Sequence, residues 1–299
     1  PSGKQIAAND DREDKSSGLN THHADSYLSV RLLADGPYTL FIGDTQRAGG
    51  PAFIYRLRFG PPRPDFELRI TPSSLNVRAG ASVPVTAYAL RKDGFTNAIA
   101  LALVDAPRGY RLDGATIPSG QDQATFTLTA PLDAPDEPVP LQIEGRSTIG
   151  DAPAVRPAVP ADDMMQAFAY RHLVPAQTLI AMSIGRIRFR SEPRVLTASP
   201  VRLSAGGTAR VELHLPTGGF IRDIRYELVA APDGLSVVSC TNNTLTLQAD
   251  AAKLSPGQTG NLIIAAFGAP PKRPDAPPQA NALRFPLATF PAVPYLITP

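Results

Sequence analysis

The sequence reads LVDAPRGYRL from Leu103 to Leu112 and LVAAPDGLSV from Leu228 to Val237. Five identities recur in register, at a spacing of 125 residues (Gly109 to Gly234) that also relates Gly94-Phe95 to Gly219-Phe220. Upstream, SSLNVRAGASVPVTAYAL is mirrored by SPVRLSAGGTARVELHL; downstream, TFTLTA is mirrored by TLTLQA. A fixed spacing shared by separate motifs identifies two copies of one folding unit. The period is too long for a solenoid repeat and suits a β-sandwich with its connection. In each copy Ala-Pro-x-Gly predicts a tight turn, in which Pro107 and Pro232 preset φ and Gly109 and Gly234 supply a positive φ. Gly94 and Gly219 are read as the matching turn glycines of another loop.

The first copy reads as strands FELRIT, SVPVTAYAL, IALALVD, QATFTLTA and VPLQIEGRST, with NVRAGAS, RKDGF and DAPRG between them. Turn signals about every ten residues mark a sandwich. The proline-rich run GDAPAVRPAVP is expected to cross the surface, followed by strands FAYRHLV and TLIAMSI, with Asp162 as an alternative cap for a short helix. The tail repeats the scheme: a proline loop APPKRPDAPPQA and a returning strand LRFPLATF. With 32 Pro and 23 Gly in 299 residues, long helices are not expected to dominate. The recurring pattern resembles immunoglobulin-like domains of large bacterial surface proteins, without the Cys and Trp of antibody-type domains.

Ahead of the two copies lie alternating runs SYLSVRLL, YTLFIG and AFIYRLRF, bounded by ADGP and GDTQRAGGP. They predict consecutive antiparallel strands. Three strands cannot easily close a core, so their partners are expected either upstream or in another module. The order NDD, then ADSYLSVRLLADGPYTLFIGD, then a Gly-Gly turn and FIYRLRF resembles the later part of the bacterial pre-peptidase C-terminal domain. That resemblance covers about one fifth of the chain. It implies an extracellular or periplasmic accessory sandwich, in a chain cut from a longer precursor whose targeting segment lies elsewhere. The expected organisation is thus all-β, in tandem sandwiches: a partial sandwich over 1–60, a GPPRPD boundary, and immunoglobulin-like copies over 66–185 and 186–299.

Composition narrows the chemistry. Lys plus Arg total 29 against 27 Asp plus Glu, which gives no basic patch for nucleic acid. The single cysteine, Cys240, excludes an internal disulfide and is expected to be a small buried hydrophobe. No apolar run reaches the length of a membrane span. Asn9, Asp10, Asp11, Glu13 and Asp14 form an oxygen-rich cluster whose chemistry would suit calcium, but the EF-hand order is missing and a solvated acidic loop is the stronger reading, so no cofactor is expected, with calcium as the alternative. His22, His23 and Asp25 are metal-ligand types, yet adjacent strand residues point to opposite faces. His172 and His214 lack a G-x-S-x-G elbow or a recognisable triad order, and Gly49-Gly50 and Gly206-Gly207 lack the Lys-Ser/Thr of a phosphate loop. The tyrosines at 27, 38, 55, 88, 110, 170, 226 and 295 sit mostly within strand alternation, and without tryptophan the core reading is favoured over a sugar-binding platform.

The reading that follows is a non-enzymatic, extracellular structural or adhesive region of a bacterial surface or secreted protein. Its expected partners are a further copy, or a polymeric or protein ligand, met at strand edges. The alternatives are a carbohydrate- or protein-targeting accessory module of a secreted hydrolase, and a hydrolase in its own right.

Overall fold

The computed structural model describes residues 3–10, 12–13, 22–23, 26–166, 170–186, 191–216, 222–241, 243–269 and 284–299, and among them there is no helix. Two short strands, β1 (Arg12–Glu13) and β2 (His22–His23), pair with each other. The first copy comprises β3 (Asp65–Thr71), β4 (Ser74–Ala79), β5 (Ser82–Lys92), β6 (Ile99–Val104), β7 (Arg111–Asp113), β8 (Thr116–Ile117), β9 (Gln123–Thr129), β10 (Val139–Ile149), β11 (Ala152–Gln166), β12 (Tyr170–Pro175) and β13 (Leu179–Arg186). The second comprises β14 (Arg194–Val195), β15 (Val201–Ser204), β16 (Thr208–His214), β17 (Arg222–Val229), β18 (Leu235–Thr241), β19 (Thr244–Ala249), β20 (Thr259–Ala269), β21 (Phe285–Thr289) and β22 (Val293–Thr298).

Eight strands of each copy correspond in their ladders. In the first, one layer runs β3-β5-β9-β7, and β13 lies between β4, to which it is parallel, and β10, which pairs with β6. In the second, one layer runs β14-β16-β19-β18, and β22 lies between β15, again parallel, and β20, which pairs with β17. This is the two-layer order of an immunoglobulin-type sandwich.

Period-two alternation closes each core. β4 buries Leu75, Val77 and Ala79 and exposes the residues between, while β19 buries Leu245, Leu247 and Ala249. The first core gathers Phe66, Leu68, Ile70, Ile99, Phe126 and Leu128; the second gathers Leu203, Leu245, Leu247 and Phe290. Each such side chain contributes about 2 kcal/mol by leaving water.

Several expectations need correction. β4 occupies most of a stretch read as a connection. The proline-rich run is no surface crossing: it forms the first part of β11, which pairs with β10 up to Pro157 and then runs parallel to β3 over Ala158–Pro160. Pro157 ends the pairing with β10 and Pro160 the pairing with β3, so both stand at changes of partner, where a missing N–H disturbs the ladder least. Asp162 caps no helix; its Oδ1 accepts from the Ser73 hydroxyl at 2.8 Å. Cys240 is exposed on β18, which ends its layer.

The largest difference concerns residues 26–64. The three alternating runs carry no strand, and nearly all of the segment is exposed, Tyr27, Tyr38 and Tyr55 included. A few strands hold together only when their apolar face is buried, and the apolar side chains of these runs are exposed.

Candidate binding surface

The duplicated turns occupy equivalent places, Pro107–Gly109 between β6 and β7 and Pro232–Gly234 between β17 and β18. The N–H of Tyr110 donates to the Pro107 carbonyl at 3.3 Å, and that of Leu235 to the Pro232 carbonyl at 3.1 Å. Gly109 has φ +92° and Gly234 +91°. Each turn leans on the loop after the β9-type strand: a Cβ at Gly109 would stand 2.6 Å from Pro131 Cβ, and one at Gly234 would stand 2.7 Å from Lys253 Cβ. Gly94 has φ +82° with open space around it, while Gly219 lies outside the described residues. Asp105 and Ala230, also 125 positions apart, share left-handed φ values of 47° and 50°. Aspartate enters that region more readily than most residues, whereas nothing about Ala230 announces it except its place in the repeat.

The two sandwiches meet directly. Asn261 Nδ2 on β20 donates to the carbonyls of Gly114 at 2.7 Å and Thr125 at 2.8 Å. Gln121 Nε2 donates to the Thr259 carbonyl at 3.0 Å, and the N–H of Ala292 to the hydroxyl of Thr127 at 2.8 Å. Arg111 and Glu192 pair at 2.9 Å across the same junction. Side-chain amides bonded to backbone fix orientation, because their geometry is met in only one relative placement.

The residues singled out for chemistry do not converge. Asn9 Oδ1 accepts from the Tyr27 N–H at 2.8 Å, and the Asp10 carbonyl accepts from Ser26 Oγ at 2.5 Å. Asp11, Asp14 and Asp25 lie outside the described residues, as do the side chains of Glu13, His22 and His23; among the described residues no metal-binding cluster forms. His172 is partly buried on β12 opposite Met164, whereas His214 is exposed on β16 of the other sandwich. A shallow depression beside Thr197–Arg202 and Thr208–Arg210 is lined by neither a carboxylate nor an imidazole. Gly49-Gly50 and Gly206-Gly207 sit at turns, with Phe53 N–H bonded to the Gly50 carbonyl and Gly207 N–H to that of Ser204.

Perturbed titrations trace to structure. Burial, with a smaller contribution from the Cys240 charge, pushes the Tyr226 phenol up to about 12, and its hydroxyl donates to Asn243 Oδ1 at 2.7 Å. Burial also raises Tyr110 and Tyr295. Desolvation pulls the Asp65 carboxyl upward, but hydrogen bonds from Arg156 and the Phe66 N–H, with the charges of Arg156 and Lys92, outweigh it and hold the group below its usual range.

What stands out is residues 26–59. Between Tyr27 and Phe59, fourteen large hydrophobic side chains are 39–92% exposed. The Tyr38 hydroxyl donates back to the Ala34 carbonyl at 2.7 Å around Asp35-Gly36-Pro37, the hydrogen bond of a tyrosine corner. Both ends of the segment are held by one carboxylate: Tyr27 Oη donates to Asp93 Oδ1 at 2.5 Å, and the Arg63 N–H to Asp93 Oδ2 at 2.7 Å.

No family model matches the chain, and no curated protein does. Among solved structures, the chain is similar to the endo-fucoidan hydrolase MfFcnA4 from glycoside hydrolase family 107, with 8% identity and a TM-score of 0.23 over 80% of this chain and 29% of that one. It is also similar to the D00-D0 domain of intimin, with 12% identity and a TM-score of 0.21 over 77% of this chain and 99% of that one. The chain thus spans under a third of the hydrolase's length. Overlaps this loose carry no argument, and the architecture rests on the chain's own ladders. No helix among the described residues is long and apolar enough to cross a membrane.

Proposed function

We propose that the chain is a non-catalytic structural or adhesive region of a bacterial surface or secreted protein: two clamped sandwiches carrying a cohesive segment at residues 26–59. The observation that supports this reading is the exposure of fourteen large hydrophobic side chains beside cores already closed elsewhere. Soluble monomers rarely present contiguous apolar patches beyond a few hundred Å², and larger ones mark interaction sites. The extracellular setting comes from the resemblance of the same segment to bacterial secreted modules. A second reading, a targeting module for a polysaccharide or protein substrate of a linked hydrolase, draws on the exposed rings of Tyr38, Phe41, Tyr55 and Phe59 within that segment.

Beads coated with the full chain distinguish these readings. Under the structural reading they adhere to beads bearing the same chain or to immobilised protein, and Leu40→Asp with Leu57→Asp abolishes adhesion. Saturable retention on insoluble polysaccharide, lost with Tyr55→Ala, would favour the targeting role instead. Adhesion to none of these surfaces would overturn the proposal.

A further inference from the structure

We infer that residues 26–59 are completed by the same residues of a second copy, the two segments folding together into one six-stranded sandwich. The inference rests on the adhesive reading above and names its partner. Its first support is parity. Leu28, Val30 and Leu32 recur at every second position and are 43–48% exposed, as Leu40 and Ile42 are at 52% and 49%; the residues just off that pattern, Leu33 and Phe41, stand at 89% and 90%. One side of each of these two runs is therefore already turned partly out of water, as the inward face of a strand would be. In the last run the alternation is one of sequence, Tyr55, Leu57 and Phe59 against Arg56 and Arg58, and of the three apolar residues Leu57 is the least exposed. The charged residues within the three runs, Arg31, Arg56 and Arg58, all lie off the apolar face, so packing two such faces brings no guanidinium into the interior.

The second support is the corner. A tyrosine corner carries a chain between the two layers of a sandwich. It sends 26–33 into one layer and 38–42 into the other, while the Gly49-Gly50 turn returns 53–59 beside 38–42. One copy thus offers a single strand to one layer and two to the other. A copy related by a two-fold axis offers the complement, so each layer receives three strands and no apolar face is left over. Ten or so half-exposed large side chains per copy supply the order of 800 Å² per partner that a stable interface needs. Asp93 ties both ends of the segment to the first sandwich, while the large apolar side chains between them stay exposed and open to a partner.

The test is sedimentation and light scattering of the full chain from micromolar concentration upward, with amide hydrogen exchange on the same samples. The expected result is a particle of twice the chain mass. Amides of 26–33, 38–42 and 53–59 become protected as it forms, and both effects disappear in Leu40→Asp with Leu57→Asp. Those positions carry no strand in the single chain, so the melting of the two sandwiches should stay unchanged in the variant, which separates lost pairing from misfolding. A monomer throughout the range overturns the inference, whether its segment exchanges freely or is protected within one chain. Should that monomer still adhere to immobilised protein through the same residues, the adhesive reading survives and the second copy does not.

Discussion

The side-chain nitrogen of Asn261 lies 2.7 Å from the carbonyl oxygen of Gly114, so a strand of the second sandwich is bonded to a loop of the first. Gly114 has φ +71°, and a Cβ there would stand 2.7 Å from Asn261 Oδ1, so close approach and left-handed backbone both require glycine. Asn261→Ala removes two hydrogen bonds and leaves the partly buried carbonyls of Gly114 and Thr125 without a donor, at a cost of about 1–3 kcal/mol in coupling. Calorimetry of the intact chain should show a cooperative transition splitting into two. A single undivided transition in the variant would mean that Asn261 does not couple the sandwiches.

The duplicated turns allow a matched comparison. Gly109→Val and Gly234→Val each force a β-branched residue into positive φ and drive its Cβ against Pro131 or Lys253. Each should lose more than about 1 kcal/mol in denaturant titrations. Gly94→Val, strained in backbone but with no neighbour within 4 Å, should lose less. Equal losses at all three sites would show that the approach to Pro131 and Lys253 contributes nothing.

Acid sensitivity should trace in part to Asp65, whose carboxyl accepts from Arg156 Nε at 3.0 Å. Its pKa is depressed on folding, so its contribution is present above the unfolded carboxyl range near 4 and is lost as pH falls through the lower folded value. Both partners are well solvated, which keeps the effect small. Asp65→Asn should flatten the acid limb of stability against pH while leaving the alkaline limb alone; a parallel shift of the whole curve would point to packing instead.

The architecture was legible where local pattern and burial agree. Leu245 and Leu247 alternate with threonines, so strand type could be read from residues near one another in the chain, and the Pro107 and Pro232 turns recur at a fixed spacing that gave the duplication. β4 was missed although Leu75, Val77 and Ala79 alternate, because Arg78, Gly80 and Ser82 nearby read as a loop. Asn261 was invisible for a different reason: its partners are 147 and 136 positions away, and an asparagine bonded to distant carbonyls looks like any surface amide. Residues 26–59 show the opposite failure. Leu28, Val30 and Leu32 carry a clean strand pattern, but a pattern specifies only which face would be buried, and burial waits on a covering layer.

Two tyrosines give opposite expectations for the same chemical change. The Tyr110 hydroxyl is buried and meets no partner among the described residues, and Leu235 stands 125 positions on, where the second copy needs no hydroxyl. Tyr110→Phe should therefore be neutral or stabilise by up to about 1 kcal/mol, since it removes a desolvated polar group. Tyr226 donates to Asn243, so Tyr226→Phe should cost about 1 kcal/mol at neutral pH. Alkaline titration separates the two effects further. The folded pKa of Tyr226 is raised to about 12, so its share of stability is complete below the unfolded value near 10 and is lost as pH rises toward 12. Removing that phenol should make stability fall less steeply across the interval. Unfolding curves of the parent chain and both variants at pH near 7, 10 and 12 test this; an alkaline slope unchanged in Tyr226→Phe would place the titration on Tyr295, Tyr110 or Cys240.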